Sequence, residues 1–224
     1  MIRFRTLLPL LLLLGAATIS GCASSRSALP AEWDGLVLQP GTRLGAVFVK
    51  PDAEIASYTS VMLDPVEVSF ARNWDPNRGG RSLAGRLNAS DVTAMKAGLA
   101  DMFRETFRAE LERGGYKLVD EVGPDTLRVT AAIVDLFVSA PNAPAPGRTR
   151  TYTANTGRMT LVAELRDSVT GEILARVVDA QSGRSTGTWM ATSSVTNNAD
   201  ARRAIGIWAA ALRQGMDGLY GRTN

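Results

Sequence analysis

The sequence predicts an α+β domain: a mostly antiparallel sheet with two amphipathic helices packed on one face. Three observations carry that prediction. Val66, Val68 and Phe70 alternate with Glu67 and Ser69, the two-residue period of a strand whose faces differ. Met95, Leu99, Met102, Phe103, Phe107 and Leu111 recur at spacings of three and four, as do Ile205, Trp208, Leu212, Met216 and Leu219, so each set makes one stripe on a helix. The stretch between these helices reads as strands punctuated by glycine turns, which gives the order strand, helix, four strands, helix.

The elements follow in chain order. From Ala23 to about Ile55, serines, Pro30, Pro40 and Gly41 interrupt any periodicity, so the segment reads as a tether passing into irregular structure, with Trp33, Leu36, Val37 and Leu38 as local anchors. Leu44 to Val49 reads as an edge strand. Tyr58 to Phe70 reads as a strand, and Pro65, which lacks a backbone donor, places an edge or a bulge within it. A connector from Ala71 to Ala89 leads to the first helix, with Ser90 or Asp91 as its cap and Gly114 and Gly115 as its stop.

Tyr116 to Asp120 is a short strand, and Thr126 to Ser139 a long one. Leu127, Val129, Ala131, Ile133 and Phe137 share one parity of the long strand, and Ala132, Val134, Leu136 and Val138 the other. With both faces largely apolar in its second half, it is expected to be central or to meet another surface with its second face. Around Gly171 a three-residue loop of Val169, Thr170 and Gly171 would set Ser168 opposite Glu172, Leu165 opposite Ala175, Ala163 opposite Val177 and Glu164 opposite Arg176. The last helix runs from about Asn198 to Leu219, capped by Asn197 or Asn198. The single domain is thus bounded at residues 56–221.

The amino terminus carries the clearest functional signal. Arg3 and Arg5 precede an apolar run from Leu7 to Ala17, which ends in Ile19, Ser20, Gly21 and Cys22. That run is shorter than the roughly 20 residues a membrane-spanning helix requires, and the pattern reads as a lipoprotein leader with cleavage before Cys22 and acylation of its thiol and new amine. Cys22 is the only cysteine, so the mature chain would hold no disulfide and no thiolate ligand. Ala23, in place of aspartate, favours the outer membrane with the domain on its periplasmic face. Loss of the first 21 of 224 residues leaves 203 and removes two positive charges, lowering the formal charge from +3 to +1; nucleic acid is therefore not an expected partner.

Chemistry is sparse. The chain has no histidine, which excludes an imidazole base and triads built on one. Asp64, Glu67 and Asp135 are carboxylates without a paired spacing. Arg81 and Arg86, close before the first helix, are candidates for anion contact, although the segment lacks the lysine and glycine spacing of a phosphate loop. The proline-rich stretch Ser139 to Gly157 is a long connection that offers Arg148, Arg150 and Tyr152 to a partner. Trp74 and Trp189 read as residues that dock loops. No cofactor and no metal is expected.

On Val61 to Val66, on the helix ending at Gly114, Gly115 and Tyr116, on Gly123 to Val129 and on the Asp167 to Ala175 hairpin, the chain resembles a bacterial lipoprotein family known as domain of unknown function 3313, over roughly residues 30–220. The resemblance implies an outer-membrane or periplasmic lipoprotein and supplies no reaction. The expected function is a lipid-anchored interaction or envelope-maintenance module with an envelope protein as partner. Alternatives are an enzyme acting on cell-wall or lipid substrates through carboxylates, and a small-ligand carrier.

Overall fold

The computed structural model describes residues 29–77, 86–138, 151–153, 157–183, 190–192 and 194–222, with the backbone alone for 151–153, 190–192 and 194–196. The strands are β1 (Glu32–Trp33), β2 (Leu36–Leu38), β3 (Ala46–Val49), β4 (Ser60–Leu63), β5 (Glu67–Phe70), β6 (Lys117–Val119), β7 (Thr126–Val138), β8 (Thr151–Thr153), β9 (Gly157–Asp167), β10 (Ile173–Ser182) and β11 (Met190–Thr192). The helices are α1 (Ala89–Arg113) and α2 (Ser194–Leu219). The main sheet runs β1-β2-β3-β10-β9-β7-β4-β6, with β5 also beside β7, and β8 pairs with β11 in a separate small sheet. Pairings from β1 through to β7 are antiparallel; β4 and β5 lie parallel to β7, and β6 parallel to β4.

Residues 32–49, expected to be largely irregular, supply three strands. Asp34 and Gly35 both take left-handed backbone (φ 54° and 77°), the two-residue turn that matches the twist of a hairpin. That hairpin covers the flank of β3, so β3 lies inside the sheet between β2 and β10 and is not an edge. The expected strand Tyr58 to Phe70 is two strands, broken at Asp64, Pro65 and Val66 where proline offers no donor.

The cap of α1 lies two residues before Ser90, the earlier of the two expected. The Asn88 side chain accepts from the backbone N–H of Ser90 and Asp91 (2.8 and 3.1 Å), while the Asp91 carboxylate accepts from the Asn88 N–H (2.9 Å). Asn88 is therefore the cap, and Asp91 closes a reciprocal box. α2 begins at Ser194, so Asn197 and Asn198 lie in its first turns and do not cap it.

Both stripes face the sheet except at Leu219, which is 51% exposed at the end of α2 where the sheet no longer covers it, and the helices run parallel. Their amino-terminal halves share one cluster, in which Leu99, Phe103 and Phe107 meet Ile205, Trp208 and Ala209 over Ile133 and Leu161. Their carboxyl-terminal halves share another, with Leu111 and Met216 over Leu127, Val129 and Leu174. A third cluster of Leu36, Ala46 and Phe48 lies on the opposite sheet face, under the β1–β2 hairpin.

β7 is central, as its two apolar faces require, but its parity changes near the end. Asp135 takes φ 51°, and the register with β9 shifts between Val134 and Phe137. This bulge turns Leu136 onto the helix side beside Ile133 and sends Phe137 to the other, where Arg158 lies 4.7 Å from its ring centre. The expected grouping of Phe137 with Ile133 is thus overturned.

The Gly171 hairpin has the predicted register over Leu165/Ala175, Glu164/Arg176 and Ala163/Val177. Gly171 sits at φ 73°, as the loop demands. An irregularity between Ile173 and Ala175 shifts the last pairs, so Asp167 N–H donates to the Glu172 carbonyl (3.0 Å). Ser168, freed from Glu172, instead bonds both backbone groups of Gly123 (2.8 and 3.0 Å).

Candidate functional site

The sheet face away from the helices is the candidate interaction surface, because alternation along β7, β9 and β10 places charged and polar residues there. Arg128 donates through Nε to both carboxylate oxygens of Asp64 (3.0 and 2.9 Å). Arg176 donates to Glu164 and to Asp34 (2.8 Å each) and lies 4.3 Å from the ring centre of Trp33. Glu164 also receives Arg166. Burial opposes the Arg176 charge, yet the hydrogen bonds it donates to Asp34 and Glu164 outweigh it and raise its pKa. Trp33 thereby stacks the β1–β2 hairpin over a desolvated cation.

Two further polar nodes tie the helices to their surroundings. Asp179 accepts from Trp208 Nε1, Gln181 Nε2 and the Gly45 N–H, each at 2.7 Å. At the other end of α2, Asp217 accepts from the Tyr116 hydroxyl (2.8 Å) and pairs with Arg213, which also reaches Glu110 across to α1 (2.8 Å). Burial, then the Asp217 bond, raises the Tyr116 pKa. Tyr58 is pushed up to about 12 by burial and by its bond to Asp167. Asp167 is held below the ordinary carboxylate range, first by the Thr170 N–H and then by Tyr58.

These groups hold the fold together. Among the described residues, every buried side-chain nitrogen and oxygen has a partner, and no three His, Cys, Asp or Glu side chains gather as a metal site. Asp64 is engaged by Arg128, whereas Glu67 and Asp135 are exposed. A cleft of about 70 Å³ opens at the end of the sheet between Leu136 to Val138, Gly157 to Met159 and the start of α2. A second, open depression of about 560 Å³ lies along Asn198, Ala199, Arg202 and Arg203. No helix among the described residues is long and apolar enough to cross a membrane.

The sequence candidates fall unevenly on this structure. Cys22, Arg81, Arg148, Arg150 and Trp189 lie outside the described residues. Tyr152 is in β8 with its backbone opposite Ala191, and its side chain lies outside the description. Arg86 is exposed two residues before the Asn88 cap. Trp74 docks its loop as expected, stacking on Phe70 at 3.8 Å and donating to the Val138 carbonyl (3.1 Å). Sequence reasoning missed Asp34 and Asp179. The Asp-Gly pair between apolar residues was a readable hairpin signal for the first; for the second, only an isolated aspartate on an otherwise helix-facing parity was available.

No functionally curated protein matches the sequence. Among solved structures, a Xanthomonas campestris protein is 14% identical, covering 74% of this chain and 87% of that chain at a TM-score of 0.45. A PelC dodecamer from Paraburkholderia phytofirmans is 11% identical, covering 69% and 89% at 0.34. A minor lipoprotein from Acinetobacter baumannii is 11% identical, covering 74% and 95% at 0.36. At these scores the likenesses carry no functional argument. The family model described as protein of unknown function (DUF3313) matches residues 20–212, and the chain accordingly belongs to that family.

Proposed function

We propose that the chain is a lipoprotein of the outer membrane, cleaved before Cys22 and acylated there, whose periplasmic domain works by contact with an envelope protein. The observation that carries this reading is the leader: two arginines, an apolar run too short to span, and Ile19-Ser20-Gly21-Cys22. Several acyl chains make the attachment durable, where a single one is reversible. Anchoring raises the effective concentration of the domain beside a partner in the same membrane, so a modest surface suffices.

The contact surface is the open sheet face, where Arg128, Asp64, Arg166, Glu164 and the Trp33 edge form a fixed polar pattern. Its ion pairs favour specificity over raw affinity. The engagement of Asp64 by Arg128 weighs against the carboxylate-enzyme reading.

Crosslinking of the native lipoprotein in intact envelopes, followed by mass spectrometry, tests the reading. A defined protein captured by the native chain, and lost on Arg128→Ala with Arg166→Ala, is expected. The same abundant membrane proteins captured by native chain and variant alike would contradict it.

A further inference from the structure

Because α1 and α2 run parallel, both helix amino termini gather at the end of the sheet where β7 and β10 finish. That end collects cations. Arg72 follows β5, Arg86 precedes α1, Arg158 opens β9, and Arg202 and Arg203 project from α2, all five exposed. Lys96 lies 5.9 Å from the Phe70 ring centre in the early part of α1. Among the described residues, five carboxylates share the end. Asp91 is taken up in the α1 box, Asp179 is buried and bonded to Trp208, Gln181 and the Gly45 N–H, Asp200 is buried with Arg203 3.9 Å away, and Asp75 and Asp135 are exposed. Two helix amino termini add partial positive charge to the same end.

The opposite end has the reverse sign. Its connectors, residues 50–59, 114–125 and 168–172, hold six carboxylates (Asp52, Glu54, Asp120, Glu121, Asp125 and Glu172) against Lys50 and Lys117, with Arg222 after α2 as a third cation. Both helix carboxyl termini point that way.

The path of the chain adds an independent observation. β1 runs opposite to β10, so residues 31 back to 29 head toward the cationic end. Only six residues lie between Cys22 and Leu29, so the seven steps from one to the other reach about 25 Å at full extension. The tether from Cys22 is thus short, and the described chain at residues 29–31 lies on the course toward the basic end.

Resting on the anchored reading above, we propose that the domain seats its cationic end, centred on Arg158, Arg202 and Arg203, on the anionic phospholipid surface in which Cys22 is held. Each basic side chain near such a surface strengthens attachment about five-fold. The acidic end, with the Gly171 hairpin, then points away from the bilayer.

The test uses the mature lipoprotein reconstituted into phosphatidylcholine vesicles with or without phosphatidylglycerol. A fluorophore is placed on Asn198→Cys or on Val169→Cys, the latter at a hairpin tip that is 63% exposed; acylation of Cys22 leaves one free thiol in each. The two positions lie at opposite ends of β9, whose 11 residues span about 35 Å. Energy transfer to a headgroup acceptor is expected to be strong from position 198 and near background from 169 in anionic vesicles. The difference is expected to be lost in neutral vesicles, in roughly 1 M salt where the Debye length is about 3 Å, and with Arg158→Gln, Arg202→Gln and Arg203→Gln combined. Equal transfer from both positions in anionic vesicles, or a difference indifferent to lipid charge and salt, would overturn the orientation while leaving the anchor intact. Failure to float with vesicles of either kind would overturn the anchor and the orientation together.

Discussion

The indole of Trp208, on α2, donates across 2.7 Å to the carboxylate of Asp179, on β10. Both residues are buried, and the same carboxylate also fixes Gln181 and the Gly45 N–H, so one side chain joins helix, strand and the entry to β3. Asp179→Ala strands three donors, one of them deep in the core. An unsatisfied buried group costs about 1–3 kcal/mol, so a loss of about 3 kcal/mol is expected in urea unfolding, against about 1 kcal/mol for Gln181→Ala. Equal losses would show that Asp179 does not hold the node.

The Arg176 cluster gives a second stability prediction. The Arg176 side chain is only 8% exposed and Glu164 16%, so removing one partner leaves a charge with little water. Breaking a buried pair in this way costs about 3–5 kcal/mol. Glu164 keeps Arg166 as a second partner, so Arg176→Ala is expected to fall toward the low end, about 3 kcal/mol, in denaturant unfolding. Trp33 emission should shift to the red in the folded variant as the hairpin loosens. An unchanged spectrum with unchanged stability would remove the cation from the account of the hairpin.

Asp135 separates a backbone role from a chemical one. Its left-handed backbone costs about 1 kcal/mol for an ordinary residue, so Asp135→Gly should leave the fold as stable or slightly more so. Asp135→Val should cost about 1–2 kcal/mol. If the carboxylate served in catalysis, Asp135→Gly would abolish the biological activity; on the present account the variant complements a deletion strain fully.

Tyr58 and Asp167 predict opposite pH limits. Tyr58 is raised from 10 to about 12 in the folded chain, so its contribution to stability is fully present below pH 10 and is lost as pH rises through 12. Asp167 is lowered, so its contribution is present above its unfolded pKa and is lost as pH falls through the folded one. Tyr58→Phe should therefore flatten the alkaline fall in urea midpoint between pH 10 and 12, while Asp167→Ala should narrow its gap from the native chain below about pH 4. Phenolate absorbance that rises with an unperturbed midpoint in the folded protein would contradict the first half.

Local chemistry made much of this fold legible. The stripe from Leu99 to Leu111, the alternation at Val66 to Phe70 and the Glu164/Arg176 register depend on neighbours within a few positions, and all stand in the structure. The break at Pro65 was likewise written in the residue that causes it. What escaped depends on longer-range context. Asp135 adopts a backbone that few non-glycine residues take, and the resulting bulge reverses the faces of Leu136 and Phe137. β3 lies inside the sheet only because the Asp34-Gly35 hairpin returns to cover it. The surface charges were readable singly, but their separation into two ends follows from parallel helices, which no local period reveals.

The anchor is the claim on which the functional account turns, and intact mass of the protein isolated from its native envelope tests it most directly. The account predicts a chain beginning at Cys22, 21 residues shorter than the sequence, with the added mass of a diacylglyceryl group and an amide-linked acyl chain, and no such species from Cys22→Ser. A chain that retains Met1 to Gly21 and carries no lipid would contradict it.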